Sequence, residues 1–233
     1  MNREQLVANL LNQNIKFDDK TIDLLFSYMD YTLETNEKFN LTAITNRDEF
    51  VEKMIYDSSL VLSKTDLSNK KVIDIGTGAG YPGMVLRILE PKANISLLDS
   101  TKKKIDFIDI FAKANKLNIK PIVDRAESYS RKHIEEYDVA VARAVAPLNI
   151  LLETITPLLK VNGEFIALKG ANYQEEINQS KKALQKLSME IRNIEEFELP
   201  ESKERRVLIH IKKTKPTNRK YPRDYSEIKK QPL

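Results

Sequence analysis

The residues of this sequence best suited to hold a ligand are four closely spaced glycines, Gly76, Gly78, Gly80 and Gly83, which follow a short apolar segment. Glycine adopts positive φ angles readily, and without a Cβ it lets backbone N–H groups approach a ligand closely. The spacing G-x-G-x-G-x-x-G is tighter than the dinucleotide fingerprint G-x-G-x-x-G. It therefore favours a small cofactor made of an amino acid and a nucleoside, with S-adenosyl-L-methionine as the first candidate. A tight turn without a ligand is the alternative.

An acidic residue ends the next apolar segment. Asp99 lies 23 residues beyond Gly76. In doubly wound sheets, an acid about 20 residues after the first glycine binds the ribose hydroxyls of an adenosine. The other common role, capping the following helix, falls more naturally on Ser100 or Thr101. We therefore expect Asp99 to be free to bind the ribose.

The ends of the later strands supply further candidate side chains. Ala126 and Glu127 follow the third strand, where a backbone N–H and a carboxylate can satisfy the polar edge of adenine; Glu127 could equally cap the next helix. Arg143 follows the fourth strand and Lys169 the fifth. We predict these cations on the substrate side, where they would hold phosphate or donate to a base oxygen. For Lys169 the alternative is a solvated strand end.

Residues needed for two common kinds of nucleic-acid methylation are missing. Without cysteine, the chain cannot form the thiolate adduct through which carbon 5 of pyrimidines is generally methylated. Residues 142–148 read A-R-A-V-A-P-L, where enzymes that methylate exocyclic amines usually carry an N-P-P-Y type tetrapeptide. A ring nitrogen is then the natural acceptor. Guanine N7 has a lone pair and no proton to lose, so the transfer requires alignment more than a base.

Hydrophobic periodicity places these residues on a doubly wound, mostly parallel α/β sheet. Helical stretches separate five strand-like segments, at residues 72–75, 95–98, 120–123, 138–141 and 164–168. Two more strands, at 191–199 and 206–212, follow each other without a helix. A terminal antiparallel pair added to a parallel sheet is typical of class I methyltransferases.

We predict three parts of the chain. They are an N-terminal helical extension over residues 1–60, an S-adenosylmethionine-binding methyltransferase domain over 61–213 and a basic C-terminal tail over 214–233. In the extension, a helix is expected over residues 47–63. An earlier helix is indicated by apolar residues that recur on one helical face: Ile22, Leu25, Phe26, Met29 and Leu33.

The net charge of +4 is concentrated at the C-terminus. Residues 212–233 carry eight basic side chains against Asp224 and Glu227, and the rest of the chain is slightly acidic. Such a tail, with Tyr221 and Tyr225 among its cations, is consistent with an arm that contacts phosphates and stacks on bases. A solubilising terminus is the alternative.

Composition excludes several classes of protein. No apolar run approaches the length of a membrane span, and the N-terminus lacks the apolar core of a signal peptide, so we expect a cytoplasmic protein that does not bind membranes. The chain contains no cysteine and two histidines, His133 and His210. A metal site is therefore not expected.

Seven sequence blocks together identify a family. They are, in chain order, FNLTAI, DIGTGAGYPG, LLDSTKKKIDF, RAE, ARAVAPL, LKG and KYPR. From about residue 36 the chain resembles the bacterial 16S ribosomal RNA guanine-N7 methyltransferase family. The resemblance implies that Gly76, Tyr81, the pair Ala126–Glu127 and Arg143 contact S-adenosylmethionine. It also implies that the substrate is a guanine of 16S rRNA or of the small ribosomal subunit.

One of these positions departs from the family pattern. Tyr81 stands where the family usually has Phe or Leu, so a flat or apolar surface is what the position requires.

Two other functions would use a similar fold. A nicotinamide-dependent oxidoreductase is disfavoured by the loop spacing and by the terminal strand pair. A non-catalytic RNA-binding protein is disfavoured by the intact glycine loop and Asp99. The sequence therefore favours an S-adenosylmethionine-dependent methyltransferase that acts on guanine N7 in 16S rRNA.

Overall fold

A seven-stranded mixed β-sheet is the centre of the computed structural model, which describes all 233 residues. Its strands are β1 Lys71–Ile75, β2 Asn94–Asp99, β3 Ile119–Val123, β4 Tyr137–Arg143, β5 Leu159–Lys169, β6 Met189–Glu198 and β7 Arg205–Lys213. They lie in the order β3-β2-β1-β4-β5-β7-β6; β1 to β5 are parallel, and β7 is antiparallel to both of its neighbours. The predicted doubly wound sheet with a terminal antiparallel pair is confirmed.

Ten α-helices surround the sheet. They are α1 Arg3–Asn12, α2 Asp19–Asn36, α3 Arg47–Phe50, α4 Asp57–Lys64, α5 Gly83–Leu89, α6 Lys102–Ala114, α7 Ala126–Lys132, α8 Leu148–Ile155, α9 Tyr173–Leu187 and α10 Tyr225–Lys230. A π-helical turn, Val51–Tyr56, joins α3 to α4, so the helix expected over residues 47–63 exists but is wider in its middle. None of the helices is long and apolar enough to span a bilayer.

The strands contribute side chains to two hydrophobic cores, one on each face of the sheet. In β1, Val72 belongs to the first core, whereas Ile73 and Ile75 belong to the second. Successive side chains of a strand point to opposite faces, and a parallel sheet is covered on both. The first core contains the N-terminal helices, α5 and α6, and the second contains α8 and α9. The sheet therefore exposes its strand ends rather than its faces.

The N-terminal extension packs on the first core and reaches the glycine loop. Asp18 caps α2 by accepting a hydrogen bond from the Thr21 N–H at 2.8 Å. The Tyr28 hydroxyl of α2 donates to the carbonyl of Ala79 in the glycine loop at 2.7 Å. The extension therefore supports the ligand loop directly.

The C-terminal tail folds back onto the second core. Tyr221 and Leu233 are buried in that core. The Arg223 guanidinium donates through Nε and Nη2 to the Glu153 carboxylate of α8, at 2.8 and 2.7 Å, and Glu153 is fully buried. Because its ring is buried, Tyr221 cannot stack on RNA bases, and this part of the sequence-based expectation is wrong.

Candidate active site

The glycine loop lies where the strand order reverses, beyond the carboxyl ends of the adjacent strands β1 and β4. Open α/β sheets bind their ligands at this point. Gly76, Gly78 and Gly80 have φ angles of +67°, +58° and +85°. The predicted left-handed backbone is thus confirmed at all three positions.

Asp74, in β1, binds both ends of the glycine loop through hydrogen bonds. Its carboxylate accepts hydrogen bonds from the Thr77 hydroxyl at 2.6 Å and from the Gly83 N–H at 2.9 Å. Burial raises the pKa of Asp74 to about 6. Asp74 was not among the residues predicted from the sequence, although a carboxylate inside an apolar strand was a usable signal.

Asp99 is buried. The sequence suggested that its carboxylate would have no protein partner, but the structure shows two. One carboxylate oxygen accepts from the Gly78 N–H at 3.1 Å and the other from the Thr101 N–H at 2.8 Å. Asp99 therefore satisfies the backbone at the start of α6, where Thr101 makes no side-chain cap. Each oxygen has two lone pairs, so capacity to accept from ribose hydroxyls remains.

A cavity of about 380 Å³, the cofactor pocket, opens beside the glycine loop. Asp99, Asp124 and Glu127 supply its carboxylates. Lys104, Arg125 and Ala126 line the same cavity. Apolar walls come from strand ends and α8 through Ile75, Leu98, Ile150 and Leu151. Carboxylates among apolar walls suit an adenosine, because its ribose hydroxyls and its adenine amine donate while its ring needs an apolar slot.

Glu127 points toward Arg125 and does not cap α7. Its carboxylate accepts from the Arg125 guanidinium, while Arg125 itself occupies the N-cap position. The capping alternative for Glu127 is therefore wrong. Its neighbour Ala126 is the first residue of α7, and N–H groups in a first helical turn lack helical partners.

A second cavity, of about 760 Å³, lies on the other side of residues 144–147, and we call it the substrate cleft. The π-turn, the ends of β4 and β5 and the first turn of α9 form its walls. Four cationic side chains line it: Lys53, Arg143, Lys169 and Arg206. The predicted substrate-side cations Arg143 and Lys169 thus lie in the same cavity, apart from the cofactor pocket.

Arg143 joins the sheet to the N-terminal extension. Its Nη1 donates to the Lys53 carbonyl at 2.8 Å and contacts an Asp57 carboxylate oxygen at 3.4 Å, and its Nη2 contacts the Met54 sulfur at 3.0 Å. The remaining N–H groups, at Nε and one at Nη2, make no hydrogen bond within the protein. Arg143 is therefore held in place and still has N–H groups available to donate to a ligand.

Lys169 is buried rather than solvated. Its ammonium donates to Glu176 at 2.6 Å and to the Ala146 carbonyl at 3.0 Å, and the side chain is only 7% exposed. The solvated strand-end alternative is wrong. Lys169 instead anchors the segment that separates the two cavities.

Asp57 and Arg206 were not among the residues predicted from the sequence. Asp57 is buried between Arg143 and Arg206, each with a nitrogen 3.4 Å from the same carboxylate oxygen. Burial raises the pKa of Asp57 despite both guanidiniums. The three residues come from distant parts of the chain, and nothing in their spacing shows that they meet.

Residues 144–147 form the wall between the cavities. Ala144, Val145 and Ala146 line both of them. Ala144 has a φ of +53°, and the Val145 side chain packs so closely on Gly76 that a Cβ there would lie 2.7 Å from both Val145 methyl groups. Glycine at position 76 is therefore required by contact as well as by its φ angle.

Tyr81 and Gly80 lie outside both cavities. The Tyr81 ring is buried against Tyr28 and Phe50, and its hydroxyl lies 3.2 Å from that of Thr32. A Cβ on Gly80 would collide with the Tyr28 hydroxyl. Both residues thus shape the loop against the extension, and the Tyr81 ring does not reach the cofactor pocket.

A protein-family model described as rRNA small subunit methyltransferase G (GidB) matches residues 21–208. The chain belongs to this family. A relative with the name ribosomal RNA small subunit methyltransferase G, from Thermoanaerobacter sp., is 46% identical over 99% of this chain and 98% of its own length. One from Mesoplasma florum is 43% identical over 90% of this chain and 88% of its own.

Solved structures share the fold of this family member at low sequence identity. TYW2 from M. jannaschii, in complex with AdoMet, has a TM-score of 0.57 at 16% identity and covers 73% of this chain and 79% of its own. A SAM-dependent methyltransferase from Aquifex aeolicus has a TM-score of 0.54 at 13% identity over 77% and 97%. These likenesses confirm the class I methyltransferase fold.

Membership of the rRNA small subunit methyltransferase G family confirms the activity predicted from the sequence. The protein is an S-adenosylmethionine-dependent methyltransferase of small-subunit ribosomal RNA. The nicotinamide-dependent oxidoreductase and the non-catalytic RNA-binding protein are thereby set aside.

Proposed function

We propose that this protein transfers the methyl group of S-adenosylmethionine to N7 of a guanine in 16S ribosomal RNA, in the cytoplasm. The observation that carries the proposal is the common wall, residues 144–147, between a pocket suited to adenosine and a cleft lined by cations. A donor held on one side and a base held on the other need only a short path between them. The proposal involves neither a metal nor a membrane.

The cofactor would be held by groups already oriented by the protein. Gly76, which lines the pocket, and the neighbouring Gly78 are placed along its methionine part, and Gly78 has open space where a side chain would stand. Gly80 instead packs against Tyr28 and shapes the loop. Asp99 accepts the ribose hydroxyls. The Ala126 N–H and the Glu127 carboxylate satisfy the adenine edge. We do not include the Tyr81 ring, since it is buried in the first core.

S-adenosylmethionine supplies an electrophilic methyl group on a positively charged sulfur. The new bond joins that methyl to guanine N7, the sulfur–methyl bond breaks, and the positive charge passes to the base. Because N7 carries no proton, no residue of the cleft needs to act as a base. The task of the chain is to orient the guanine and to exclude water.

Arg143 and Lys169 are proposed to act on the substrate side of the common wall. The free donors of Arg143 suit a base with acceptors at O6 and N7, or a phosphate. Lys169 holds the Ala146 carbonyl and so fixes the wall itself. Guanine N7 must remain free to accept the methyl, so O6 is the acceptor that we assign to Arg143.

The test is methyl transfer from labelled S-adenosylmethionine to purified small subunits and to naked 16S rRNA, followed by mass spectrometry of the nucleosides. We expect the label in 7-methylguanosine. Subunits prepared from cells without the gene provide unmodified substrate, and the Gly78→Val protein serves as an inactive control. Label at another position of guanine, or at another base, would contradict the proposal.

A further inference from the structure

We propose that Tyr225, in the C-terminal helix α10, is a cofactor-binding residue that closes the adenine end of the cofactor pocket. Tyr225 is the one residue of the C-terminal tail among those lining this pocket. The residue is 36% exposed and lines the cavity. The inference rests on the proposed positions of ribose and adenine in the pocket.

The tail is anchored on both sides of Tyr225, so the backbone that carries this ring is held against the protein. Before it, Arg223 is paired with the buried Glu153. Arg131 of α7 donates to the Pro222 carbonyl at 3.2 Å and to Asp224 at 2.6 Å. After it, Ile228 is fully buried. A ring held by such contacts can form a wall of a binding site at little entropic cost on binding.

The position of the ring points to adenine rather than to the ribose or the methionine part. The Arg125 guanidinium lies over the Tyr225 ring, 4.6 Å from its centroid. The same guanidinium binds Glu127, which we assign to the adenine edge. Arg125 thus links Tyr225 to the adenine end. Ile150 and Leu151 of α8 add apolar surface to the same pocket.

This arrangement gives the tail a different role from an RNA-contacting arm. An aromatic ring beside a flat heterocycle gains both buried apolar area and a favourable ring–ring interaction. The exposed cations of the tail, such as Lys229 and Lys230, can contact phosphates without involving Tyr225. Cofactor binding and RNA binding are therefore separable within one segment.

The test is calorimetric measurement of S-adenosylmethionine affinity with the full-length protein and single substitutions. Tyr225→Ala should weaken binding by about three- to tenfold, the ratio corresponding to the loss of one aromatic contact. Tyr225→Phe should bind within about twofold of the wild type, because the Tyr225 hydroxyl makes no hydrogen bond. Ser226→Ala, an exposed neighbour outside the pocket, is the matched control and should leave the affinity unchanged.

Adenosine alone serves as a second probe. Because the contact is assigned to adenine, Tyr225→Ala should weaken adenosine binding by the same factor as S-adenosylmethionine binding. Equal affinities of wild type and Tyr225→Ala for both ligands would overturn the inference and leave the proposed function intact. Loss of RNA affinity alone in Tyr225→Ala would also overturn it. A wild-type protein that binds neither ligand would overturn the proposed cofactor site itself. Thermal melting without ligand shows that each variant is folded.

Discussion

The cofactor pocket and the substrate cleft share Ala144, Val145 and Ala146 as a wall, but their charged groups are satisfied in different ways. In the pocket, Asp99 accepts from two backbone N–H groups, and Glu127 is paired with Arg125. In the cleft, every cation is paired with a carboxylate: Lys53 with Glu49 and Glu204, Arg143 and Arg206 with Asp57, and Lys169 with Glu176. The pocket keeps free acceptors, whereas the cleft keeps few free charges.

This difference matters for binding. Backbone groups are held by the sheet, so the pocket is formed before any ligand arrives. The ion pairs of the cleft connect separate parts of the chain. The extension is joined to β4 and to the start of β7, and β5 is joined to α9. RNA phosphates entering the cleft must compete with carboxylates for the same cations. We therefore expect the cleft to attract polyanions less strongly than four unpaired cations would.

The largest effect is expected in the cofactor pocket. Gly78→Val should abolish measurable S-adenosylmethionine binding, because a branched side chain would fill the open space at this position. The positive φ adds about 1–2 kcal/mol of strain, so the protein should still fold. Calorimetry and thermal melting test both statements. Gly170→Ala is the control: Gly170 also has open surroundings but lies in the substrate cleft. Undiminished affinity of Gly78→Val would refute the assignment of the loop.

A substitution in the substrate cleft should affect methyl transfer to RNA without affecting cofactor binding. Asp57→Ala leaves Arg143 and Arg206 without their shared carboxylate and should lower the free energy of unfolding by about 3 kcal/mol. Activity on RNA should fall, while S-adenosylmethionine affinity stays within about twofold. Denaturant melts, calorimetry and methyl-transfer rates provide the three readouts. If cofactor affinity fell as much as activity, the cavities would not be independent.

Asp74, below the glycine loop, should make stability depend on pH. Its pKa of about 6 in the folded state exceeds the ordinary 3.8, so the folded protein holds this proton more tightly than the unfolded chain. Its contribution is therefore fully present below about pH 3.8 and is lost as the pH rises through 6, by about 3 kcal/mol.

The variant Asp74→Asn isolates this contribution. From about pH 4 to pH 7, the free energy of unfolding of Asp74→Asn should rise relative to that of the wild type. Denaturant titrations across this range measure the difference. Asp19→Asn, at an exposed position, is the control. A constant difference between Asp74→Asn and wild type would mean that Asp74 titrates normally.

The smallest effect is expected for a change of pH on the rate of the chemical step. At saturating substrate, the single-turnover rate should not vary with an essential base between about pH 6 and pH 9, because guanine N7 has no proton to lose. Arg143 stays charged over this range, so Arg143→Ala should lower the rate without adding a pH dependence. A rate that rises tenfold per pH unit and depends on one carboxylate or histidine would indicate an acceptor other than N7.

Most of the cofactor pocket could be predicted from the sequence. Its parts lie at the ends of consecutive strands, and each is a short contiguous signal: glycines after β1, an acid as the last residue of β2 and Ala126–Glu127 after β3. The parallel sheet brings these strand ends together, so order along the chain translates into proximity. The positions of the strands could also be predicted, because strands that are buried on both faces appear in the sequence as apolar runs.

The substrate cleft could be predicted only in part. Arg143 and Lys169 were found because they too follow strands. Their partners were not, because Asp57 lies 86 residues before Arg143, and Glu176 lies in a helix whose orientation the sequence does not determine. The same holds for the tail, where the pairing of Arg223 with Glu153 spans 70 residues.

By itself, the sequence determined the fold class, the cofactor and the order of the ligand-binding loops, since these depend on local periodicity and on short motifs that a parallel sheet aligns. Tertiary structure alone decided which carboxylate each cation of the cleft is paired with, since pairing depends on side chains that are distant in the chain and meet only in the folded protein. It also decided that Tyr81 faces the extension and that Tyr225 faces the pocket. Burial and charge pairing are properties of the packed chain, and a linear pattern does not contain them.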